Sequence, residues 1–514
     1  MKHLIIYFSL LIFLCLFVNQ GSLFAQEENL NYDVVELQEL LQKLESDNYI
    51  NRYPGSKGNE LAEAFMLEQM KAMQMKPLNG VYKQEFSITT GLELKGSNLI
   101  ELTKLVERPG LPKEKWGKAT KTWSPRNEYL PISFSTNGTI EGEMAFVGYG
   151  ITAPEINYDD YAGIDVDNKI VIILSDSADG RPLREEFLPY SWLSYKAKNA
   201  KAHGAIGVIF LKTLSDSANT FYALDPESRT EDLGIIAVQA NRTELAKYFP
   251  RHANLYPMET ELQKTKKPNS FELSNSMVKI TVEIGVEQKP IANIMGIVPG
   301  TDESKKDQYI LVTSNFDNRG PQARTEEYKR HFPNVFNDEK ASGFAGMLQL
   351  MKKISESPLS RPVVFIGFNA KTFDFAGAEY FVNNSPVPLS NIFCMINIDK
   401  IDKMKRNKAM LLGESTSSIF PSIISEAAAE LEIISEEPGQ KAKGDYTVFY
   451  YNGIPFIRVS SGYEFNLYNR RNESEEINFR GMVELVNLTE LIIKKIDALN
   501  AKAVFIPNSL IMTR

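Results

Sequence analysis

Hydrophobic positions recur at helical spacing near both ends of the chain and form short, strand-like runs between them. Four leucines at positions 37, 40, 41 and 44 follow the i, i+3, i+4, i+7 spacing of an amphipathic helix. Further helices are predicted over 59–73, 196–203, 342–354 and 480–499. Strands are predicted where apolar residues run together, at 144–149, 169–174, 206–210, 234–238, 289–297, 308–315, 363–368, 392–398 and 454–459.

Strands that alternate with helices predict an α/β fold with a mixed, mostly parallel sheet that is covered by helices on both faces. Between Ser87 and Phe134 four prolines interrupt the pattern, so we expect a linker or long loops there. The polar stretch 263–276 is expected to be a second linker.

The first 25 residues have the organisation of a signal peptide. A basic start is followed by an apolar run from Leu4 to Val18 and by a small residue, Ala25, before an acidic stretch. The apolar run is shorter than the roughly 20 residues that a transmembrane helix needs. We therefore expect an exported protein, periplasmic or extracellular, with no membrane span after removal of 1–25.

The rare residues limit the chemistry that the chain can perform. The 514 residues include 4 His and 2 Cys, and His3 and Cys15 lie in the predicted signal peptide. The remaining Cys394 can form no disulfide within one chain, and a metal site would have to be built mostly from oxygen donors. The formal net charge is −8, and no basic stripe stands out, so no nucleic-acid partner is predicted.

Polar residues concentrate where the predicted strands of the second half end, and ligands of such sheets bind at the carboxyl ends of the strands. We therefore expect the chemistry of the protein at 314–320, 336–343, 368–381, 396–400, 443–446 and 467–471.

These segments, in this order, resemble the co-catalytic zinc aminopeptidase family, which includes glutamate carboxypeptidase and the transferrin receptor. ArgTyrProGlySer (52–56) is similar to the opening Arg-x-x-Gly-Ser segment of that family, and IleAlaAsnIleMetGlyIleValProGly (291–300) to the strand and turn that lead into its metal site. Three shorter segments, 341–343, 377–381 and 452–456, also match.

The segment ValGlyTyrGlyIleThrAlaPro (147–154), together with 158–166, is similar to the protease-associated domain that many family members carry as an insertion. The resemblance thus implies a zinc-exopeptidase-like fold with a β-rich α/β insert. The expected organisation is a signal peptide (1–25), a first peptidase-like part (26–135), the insert (136–265) and a second peptidase-like part (280–505).

The departures from the family lie at its metal ligands and general base. The first His ligand aligns with Asn315, although the orienting Asp317 is kept, and the bridging Asp aligns with Glu339. The Glu-Glu pair, general base and then ligand, aligns with Lys371 and Thr372. The next Asp ligand is kept as Asp399, and the last His aligns with Asn469.

A zinc pair needs anionic or imidazole donors and a carboxylate that accepts a proton from bound water. Asn and Thr are weak donors for zinc, and a protonated lysine at the general-base position has no lone pair. We therefore expect neither zinc nor catalysis, and we expect Lys371, with Arg319 as a second candidate cation, to form ion pairs with Asp317, Glu339 and Asp399. The predicted function is the binding of a peptide or protein.

Four alternatives remain open at this point. The protein could be an active metallo-aminopeptidase with atypical zinc ligands, or a hydrolase in which burial lowers the pKa of Lys371. An oxygen-only site of Asn315, Glu339, Thr372 and Asp399 would suit calcium or magnesium. The insert could instead carry the binding function. We interpret His203 as a helix-cap or packed residue, His252 and His331 as solvated, and Cys394 as a buried apolar residue.

Overall fold

The structure, a computed structural model, describes residues 30–112, 115–175, 187, 190–213, 221–226, 232–250, 253–319, 341–405, 407–428, 431–436, 444–462 and 476–507. The chain divides into two compact units. Unit 1 contains the residues up to Ile88 and from Lys289 onward, and unit 2 contains Thr89–Gln288.

The described strands are β1 (Lys83–Leu94), β2 (Leu99–Val106), β3 (Gly117–Trp123), β4 (Tyr129–Pro131), β5 (Gly138–Phe146), β6 (Thr152–Ala153), β7 (Tyr158–Asp159), β8 (Ile170–Leu174), β9 (Gly207–Leu211), β10 (Ile236–Ala240), β11 (Phe271–Val282), β12 (Ile284–Val298), β13 (Tyr309–Asn315), β14 (Val363–Phe368), β15 (Ile392–Ile398), β16 (Lys408–Leu412), β17 (Glu432–Glu436) and β18 (Phe456–Ser460). The described α-helices are α1 (30–44), α2 (Lys57–Ala72), α3 (Leu193–Ala202), α4 (Arg242–Ala246), α5 (Leu255–Thr265), α6 (Ser342–Glu356), α7 (Ala376–Asn383), α8 (Phe420–Ala427), α9 (Asp445–Tyr451) and α10 (Phe479–Asp497).

Unit 1 is built on a mixed sheet with the strand order β1-β12-β14-β13-β15-β18-β16-β17. Its central strands β14, β13, β15 and β18 are parallel to one another, whereas β12 and β16 join them antiparallel. Every residue of β14 and β15 is buried, which is the pattern of strands covered on both faces. The predicted fold class is therefore confirmed.

Successive residues of a strand point to opposite faces, and in unit 1 each face meets a different apolar core. On one face Ile310 of β13 joins a core that includes Phe344 of α6 and residues of α2 and α10. On the other face Leu311 joins a core with Phe381 of α7 and residues of α9. The carboxyl ends of the parallel strands thus lie in a sheet that is held from both sides.

Unit 2 has its own sheet, with the strand order β3-β2-β11-β5-β8-β9-β10-β4. Strands β3, β2, β11 and β5 are antiparallel, and β5, β8, β9 and β10 are parallel. All residues of β8, β9 and β10 are buried. This β-rich α/β content agrees with that expected of the insert, whose identity as a protease-associated domain stays a prediction.

The expectation of a linker or long loops over 87–134 is wrong, because β1 to β4 occupy much of that stretch. Pro109, Pro112 and Pro125 lie in the connections that flank β3, and Pro131 ends the short edge strand β4. Proline is tolerated at such places, since no interior ladder hydrogen bond is lost there. The prolines therefore lie between strands or at the end of a strand, and the stretch is not a linker.

The expected linker at 263–276 is also wrong, because helix α5 extends to Thr265 and strand β11 begins at Phe271. Unit 2, Thr89–Gln288, contains the predicted insert of 136–265 together with residues on both sides of it, and the boundaries of the insert stay a prediction. The physical reason is that β11 pairs with both β2 and β5, so these three strands belong to one hydrogen-bonded sheet.

Other local predictions are confirmed. Strands β14 and β15 have the predicted bounds, and α6 begins at Ser342 as predicted. His203 caps the end of α3 and stacks on Tyr161, with 4.1 Å between ring centroids, and Cys394 is fully buried. The predicted signal peptide, His252 and His331 lie outside the described residues. Among the described helices, none combines the length and the apolar character that crossing a bilayer requires.

Candidate functional site

Four neighbouring strands of unit 1 carry the polar residues of the candidate site at or near their carboxyl ends. Asn315 is the last residue of β13, Lys371 follows β14, Asp399 follows β15, and Arg458 lies within β18. Because these strands are parallel and adjacent, their ends meet at one edge of the sheet. The sheet thus brings together side chains that are far apart in sequence.

The loop after β14 positions Lys371 through an unusual backbone. Ala370, Asp374 and Phe375 have positive φ angles of 59°, 53° and 62°, a conformation that is unfavourable for residues with a Cβ atom. Asn369 fixes the start of this loop: its side chain accepts a hydrogen bond from the Ala370 N–H at 2.9 Å and exchanges two bonds of 3.0 Å with the side chain of Asn59. The buried amide network offsets the strain of the loop.

The loop after β14 is also hydrogen-bonded to the segment that follows β13. The backbone N–H of Lys371 donates to Oδ2 of Asp317 at 2.9 Å. Asp317 is buried, with 7% of its surface exposed. Asp317 therefore orients the loop that carries Lys371.

Asp399 accepts hydrogen bonds from two cations. The ammonium of Lys371 lies 3.2 Å from Oδ1, while Nη2 and Nε of Arg458 lie 3.0 and 3.2 Å from Oδ2. Burial alone would raise the pKa of Asp399, but the positive charges of Lys371, Arg458 and Lys400 outweigh it and hold this pKa below its usual value. The predicted ion pair between Lys371 and Asp399 is present, and both oxygens of the carboxylate are engaged.

Asp445, the first residue of α9, is a second acid close to this ion pair. Only 2% of its surface is exposed, and burial raises its pKa to about 6 although Lys371 and the amide of Asn315 lower it. Asn315 Nδ2, Thr372 Oγ1 and Asp445 Oδ1 are buried and, within the described part of the chain, have no hydrogen-bond partner.

Arg52, the first residue of the 52–56 segment, connects helix α1 to the site from the other side. Its guanidinium donates to the carbonyl of Phe316 at 2.9 Å and lies 3.4 Å from Oε1 of Glu45. Glu45 in turn accepts the N–H of Ala341, just before α6. Arg52 is only 1% exposed, so its role is to fix the surroundings of the site.

A cavity of about 30 Å³ lies among these residues, which is room for about two water molecules. It is lined by Arg52, Ser314, Asn315, Asp317, Ala341, Gly343, Phe344, Lys371, Asp399 and Lys400. The structure thus places four of the predicted site residues, Asn315, Asp317, Lys371 and Asp399, around one cavity, with Thr372 next to Lys371. Glu339 and Asn469 lie outside the described residues.

The described donor set does not fit zinc. Both oxygens of Asp399 are bound to cations, Asn315 and Thr372 are neutral, and the Lys371 ammonium stands beside the one ligand that is kept. Zinc prefers several anionic or imidazole donors. Within the ranges that the structure describes, no group of three or more His, Cys, Asp or Glu residues is arranged to hold a metal ion.

Sequence reasoning missed two residues of this site. The second cation on Asp399 is Arg458, and a pairing of Arg319 with one of the acids stays a prediction because Glu339 lies outside the described residues. The available signal was an arginine inside an otherwise apolar strand, because a buried arginine requires a buried partner. The second missed residue is Asp445. Its segment, 443–446, is predicted to reach the site, but the sequence alone assigns Asp445 no role there.

The fold and the site together define a protein of the zinc aminopeptidase fold in which a lysine and an arginine bind the buried carboxylate of Asp399. Residues 293–483 match the model of Peptidase family M28. The resemblance to zinc aminopeptidases is therefore confirmed, and the match covers the part of the chain that carries the candidate site. No curated protein matches the sequence.

Two solved structures illustrate the similarity of fold. An aminopeptidase from Aneurinibacillus sp. strain AM-1 is 16% identical, with 93% of this chain and 96% of that chain covered and a TM-score of 0.55. BSAP, a zinc aminopeptidase from Bacillus subtilis, is 15% identical, with 92% and 98% covered and a TM-score of 0.50. At these identities the likeness extends to the fold alone.

Proposed function

We propose that this protein has lost zinc and peptidase activity and acts by binding a peptide or another protein at the former metal site. The observation that carries the proposal is the double engagement of Asp399, by Lys371 at 3.2 Å and by Arg458 at 3.0 Å. A metal ion that bound either oxygen of this carboxylate would have to displace a cation or share that oxygen with it.

The energetics of such a displacement oppose metal binding. Breaking a buried ion pair leaves an uncompensated charge and costs about 3–5 kcal/mol, and here the metal would also have to approach the ammonium of Lys371. The ligand positions Asn315 and Thr372 offer no negative charge in return. The site is therefore better suited to polar ligands than to a zinc pair.

The ion pair also argues against Lys371 as a general base. A general base must be deprotonated, whereas a carboxylate at 3.2 Å stabilises the protonated ammonium. The alternative of an active hydrolase that uses Lys371 would require the ion pair to open before each turnover.

Export is part of the proposal, and it rests on the signal-peptide organisation of residues 1–25. We expect the mature protein to begin after Ala25 and to be periplasmic or extracellular. The mass of the intact protein recovered from its native host tests this, because retention of residues 1–25 would contradict export by signal cleavage.

Metal content measured after purification in zinc-containing medium tests the loss of zinc. We expect less than one zinc per chain and no cleavage of aminoacyl p-nitroanilides. Lys371→Glu is the informative variant, because it replaces the repulsive ammonium with a carboxylate and should increase zinc uptake, whereas Lys408→Met, on the distant pair with Glu432, should not. Two tightly held zinc ions per chain together with aminopeptidase activity in the unmodified protein would overturn the proposal.

A further inference from the structure

The hairpin of β2 and β3 extends beyond the pairing of β2 with its other neighbour in the sheet of unit 2. Strand β2 pairs with β11 from Leu99 to Lys104, whereas its pairing with β3 continues to Val106, which lies opposite Gly117. The end of the hairpin is therefore a ribbon of two strands. We call the described residues 104–112 and 115–118 the hairpin tip.

A defined turn shapes the hairpin tip. Pro109 and Gly110 occupy the central positions of a turn in which the N–H of Leu111 donates to the carbonyl of Arg108 at 3.1 Å, and Gly110 has a φ angle of 81°. Proline followed by a residue with positive φ is typical of a type II turn. The indole N–H of Trp116 donates to the carbonyl of Leu111 at 3.0 Å, so the loop is fixed by its own hydrogen bonds.

Apolar side chains are exposed at the hairpin tip. Val106 is 51% exposed and Leu111 is 45% exposed, and Pro109 and Pro112 are also exposed. Trp116, next to them in the loop, is half-buried. Single exposed apolar residues are common on protein surfaces, but several that share one turn with a tryptophan mark a surface suited to a partner.

The hairpin tip is basic although the chain as a whole is acidic. The chain has a formal net charge of −8, whereas the described residues of the tip carry four cations, Lys104, Arg108, Lys115 and Lys118, against the single acid Glu107. None of the four cationic side chains forms an ion pair or hydrogen bond with another described residue. Their charge is therefore available to an anionic partner.

The strand register places cations on both faces of the ribbon. Lys104 lies opposite Ala119, and Lys118 lies opposite Leu105 on the next pair along. Successive pairs point to opposite faces of a sheet, so the two lysines lie on opposite faces. A ligand in a groove would meet one face only, whereas an extended surface that the tip enters end-on meets both.

We propose that the hairpin tip binds the surface of a lipid bilayer that contains anionic headgroups. Val106 and Leu111 enter the apolar boundary of the bilayer, and the four cations lie at the level of the headgroup phosphates. Lys and Arg side chains are attracted to anionic leaflets, and tryptophan favours the membrane interface. A second copy of this chain is a poorer occupant, because edge lysines hinder strand pairing and two basic tips repel each other. This inference concerns unit 2 and does not depend on the proposed function.

Co-sedimentation with vesicles tests the inference on the full mature chain, without the apolar run of 1–25 that would itself bind lipid. One set of vesicles contains phosphatidylcholine alone, and the other contains an equimolar mixture with phosphatidylglycerol. We expect binding to the mixed vesicles to be at least about tenfold tighter, and to weaken as salt screens the charges.

Substitutions at the hairpin tip separate the two contributions to binding. Lys104→Gln combined with Lys118→Gln should weaken binding to the mixed vesicles at least about tenfold, whereas Lys104→Arg combined with Lys118→Arg should restore it. Val106→Ser combined with Leu111→Ser should also weaken it, because the apolar contact is lost while the charge is kept.

Lys57→Gln combined with Lys95→Gln is the matched control. It removes the same two charges from exposed lysines outside the tip, whose side chains are 79% and 57% exposed, and it should leave the affinity for mixed vesicles unchanged. Far-ultraviolet circular dichroism shows whether each variant is folded. An effect of this control equal to that of the Lys104 and Lys118 pair would overturn the inference, since net charge alone would then explain binding.

Tryptophan emission identifies the part of the chain that meets the lipid. Mixed vesicles should shift the emission of the mature chain to shorter wavelength, and Trp116→Phe should abolish that shift while the protein still co-sediments. A shift that persists in Trp116→Phe would place the contact elsewhere and overturn the inference. So would equal affinity for the two kinds of vesicle, or no binding to the mixed vesicles. If polyglutamate binds in a Lys104- and Lys118-dependent way while mixed vesicles do not bind, the partner is an acidic protein segment and the lipid proposal is wrong.

Discussion

Asp399 in unit 1 and Asp160 in unit 2 are buried acids whose pKa values move in opposite directions. Asp399 faces a lysine and an arginine at 3.0 to 3.2 Å, and its pKa is lowered. Asp160 is fully buried and is held by neutral donors, the N–H groups of Tyr149 and Ile151 at 3.1 and 3.0 Å and the hydroxyl of Tyr158 at 3.1 Å. Burial raises the pKa of Asp160 to about 7.

The difference shows that cations in direct contact lower the pKa of a buried carboxyl group more than neutral hydrogen-bond donors do. Three hydrogen bonds and the more distant charge of Lys196 fail to offset the burial of Asp160, whereas cations in direct contact do so at Asp399. Positive charge at Asp399 is what metal ions supply at such a carboxylate in a zinc site. Under the proposed function, Lys371 and Arg458 take the place of a metal as the source of that charge, and three substitutions test the comparison.

The largest effect is expected from Arg458→Met, which removes one of the two cations from Asp399 while preserving most of the side-chain volume. We expect unit 1 to lose about 3 kcal/mol, because the carboxylate then lacks a partner on Oδ2. Hydrogen exchange of peptides from β15, followed by mass spectrometry, reports the change in unit 1.

Two further variants show whether the loss of stability in Arg458→Met comes from the unpaired charge of Asp399. Adding Asp399→Asn to Arg458→Met removes the unpaired charge and should recover part of the stability. Lys408→Met breaks a pair with Glu432 whose side chains are 42% and 57% exposed, so it should cost less than about 0.5 kcal/mol. An Arg458→Met variant that is no less stable than Lys408→Met would contradict the role of Arg458.

The second effect is a pH dependence of unit 2 that Asp160→Asn removes. The folded pKa of about 7 lies above the ordinary value of 3.8 for an aspartate, so the folded state keeps a proton that the unfolded state has released. This contribution to stability is complete below pH 3.8 and is lost as the pH rises through 7. Between pH 5 and 8 the native protein should therefore lose about 2 kcal/mol more than Asp160→Asn.

Tryptophan fluorescence during urea unfolding measures this difference, because all 3 tryptophans, at positions 116, 123 and 192, lie in unit 2. Tyr158→Phe is the control: it removes one donor but keeps the carboxyl group, so its stability should still fall as the pH rises. The same pH dependence in native protein and Asp160→Asn would show that Asp160 is ionised in the folded state throughout.

Sequence patterns predicted the parts of unit 1 where burial is uniform. Strands β14 and β15 are continuous apolar runs, and α6 repeats its apolar residues along one face, so hydrophobicity alone locates them. The same reasoning failed over 87–134, because prolines in turns and at a sheet edge resemble those of a linker. Strand pairing is not local, which explains why the extent of unit 2 could not be predicted from composition.

At the candidate site, alignment of motifs predicted the pairing of Lys371 with Asp399, because both positions belong to segments with a fixed place in the family. Arg458 could not be placed this way. Its partner is 59 residues away in sequence, and only the parallel pairing of β15 with β18 brings the two together.

The smallest effect is expected at Asp445. Its environment is intermediate between those of Asp160 and Asp399, because burial raises its pKa, as at Asp160, while Lys371 lowers it, as at Asp399. Its folded pKa of about 6 exceeds the ordinary value of 3.8 for an aspartate, so its stabilising contribution is lost as the pH rises from 3.8 through 6. Relative to Asp445→Asn, the native protein should lose about 1 kcal/mol between pH 5 and 8, measured by hydrogen exchange in α9. In a Lys371→Met background this difference should grow, since the cation that lowers the pKa of Asp445 is gone. A difference that stays constant would mean that Lys371 acts on Asp399 alone, and the positive charge of the candidate site would then not extend to Asp445.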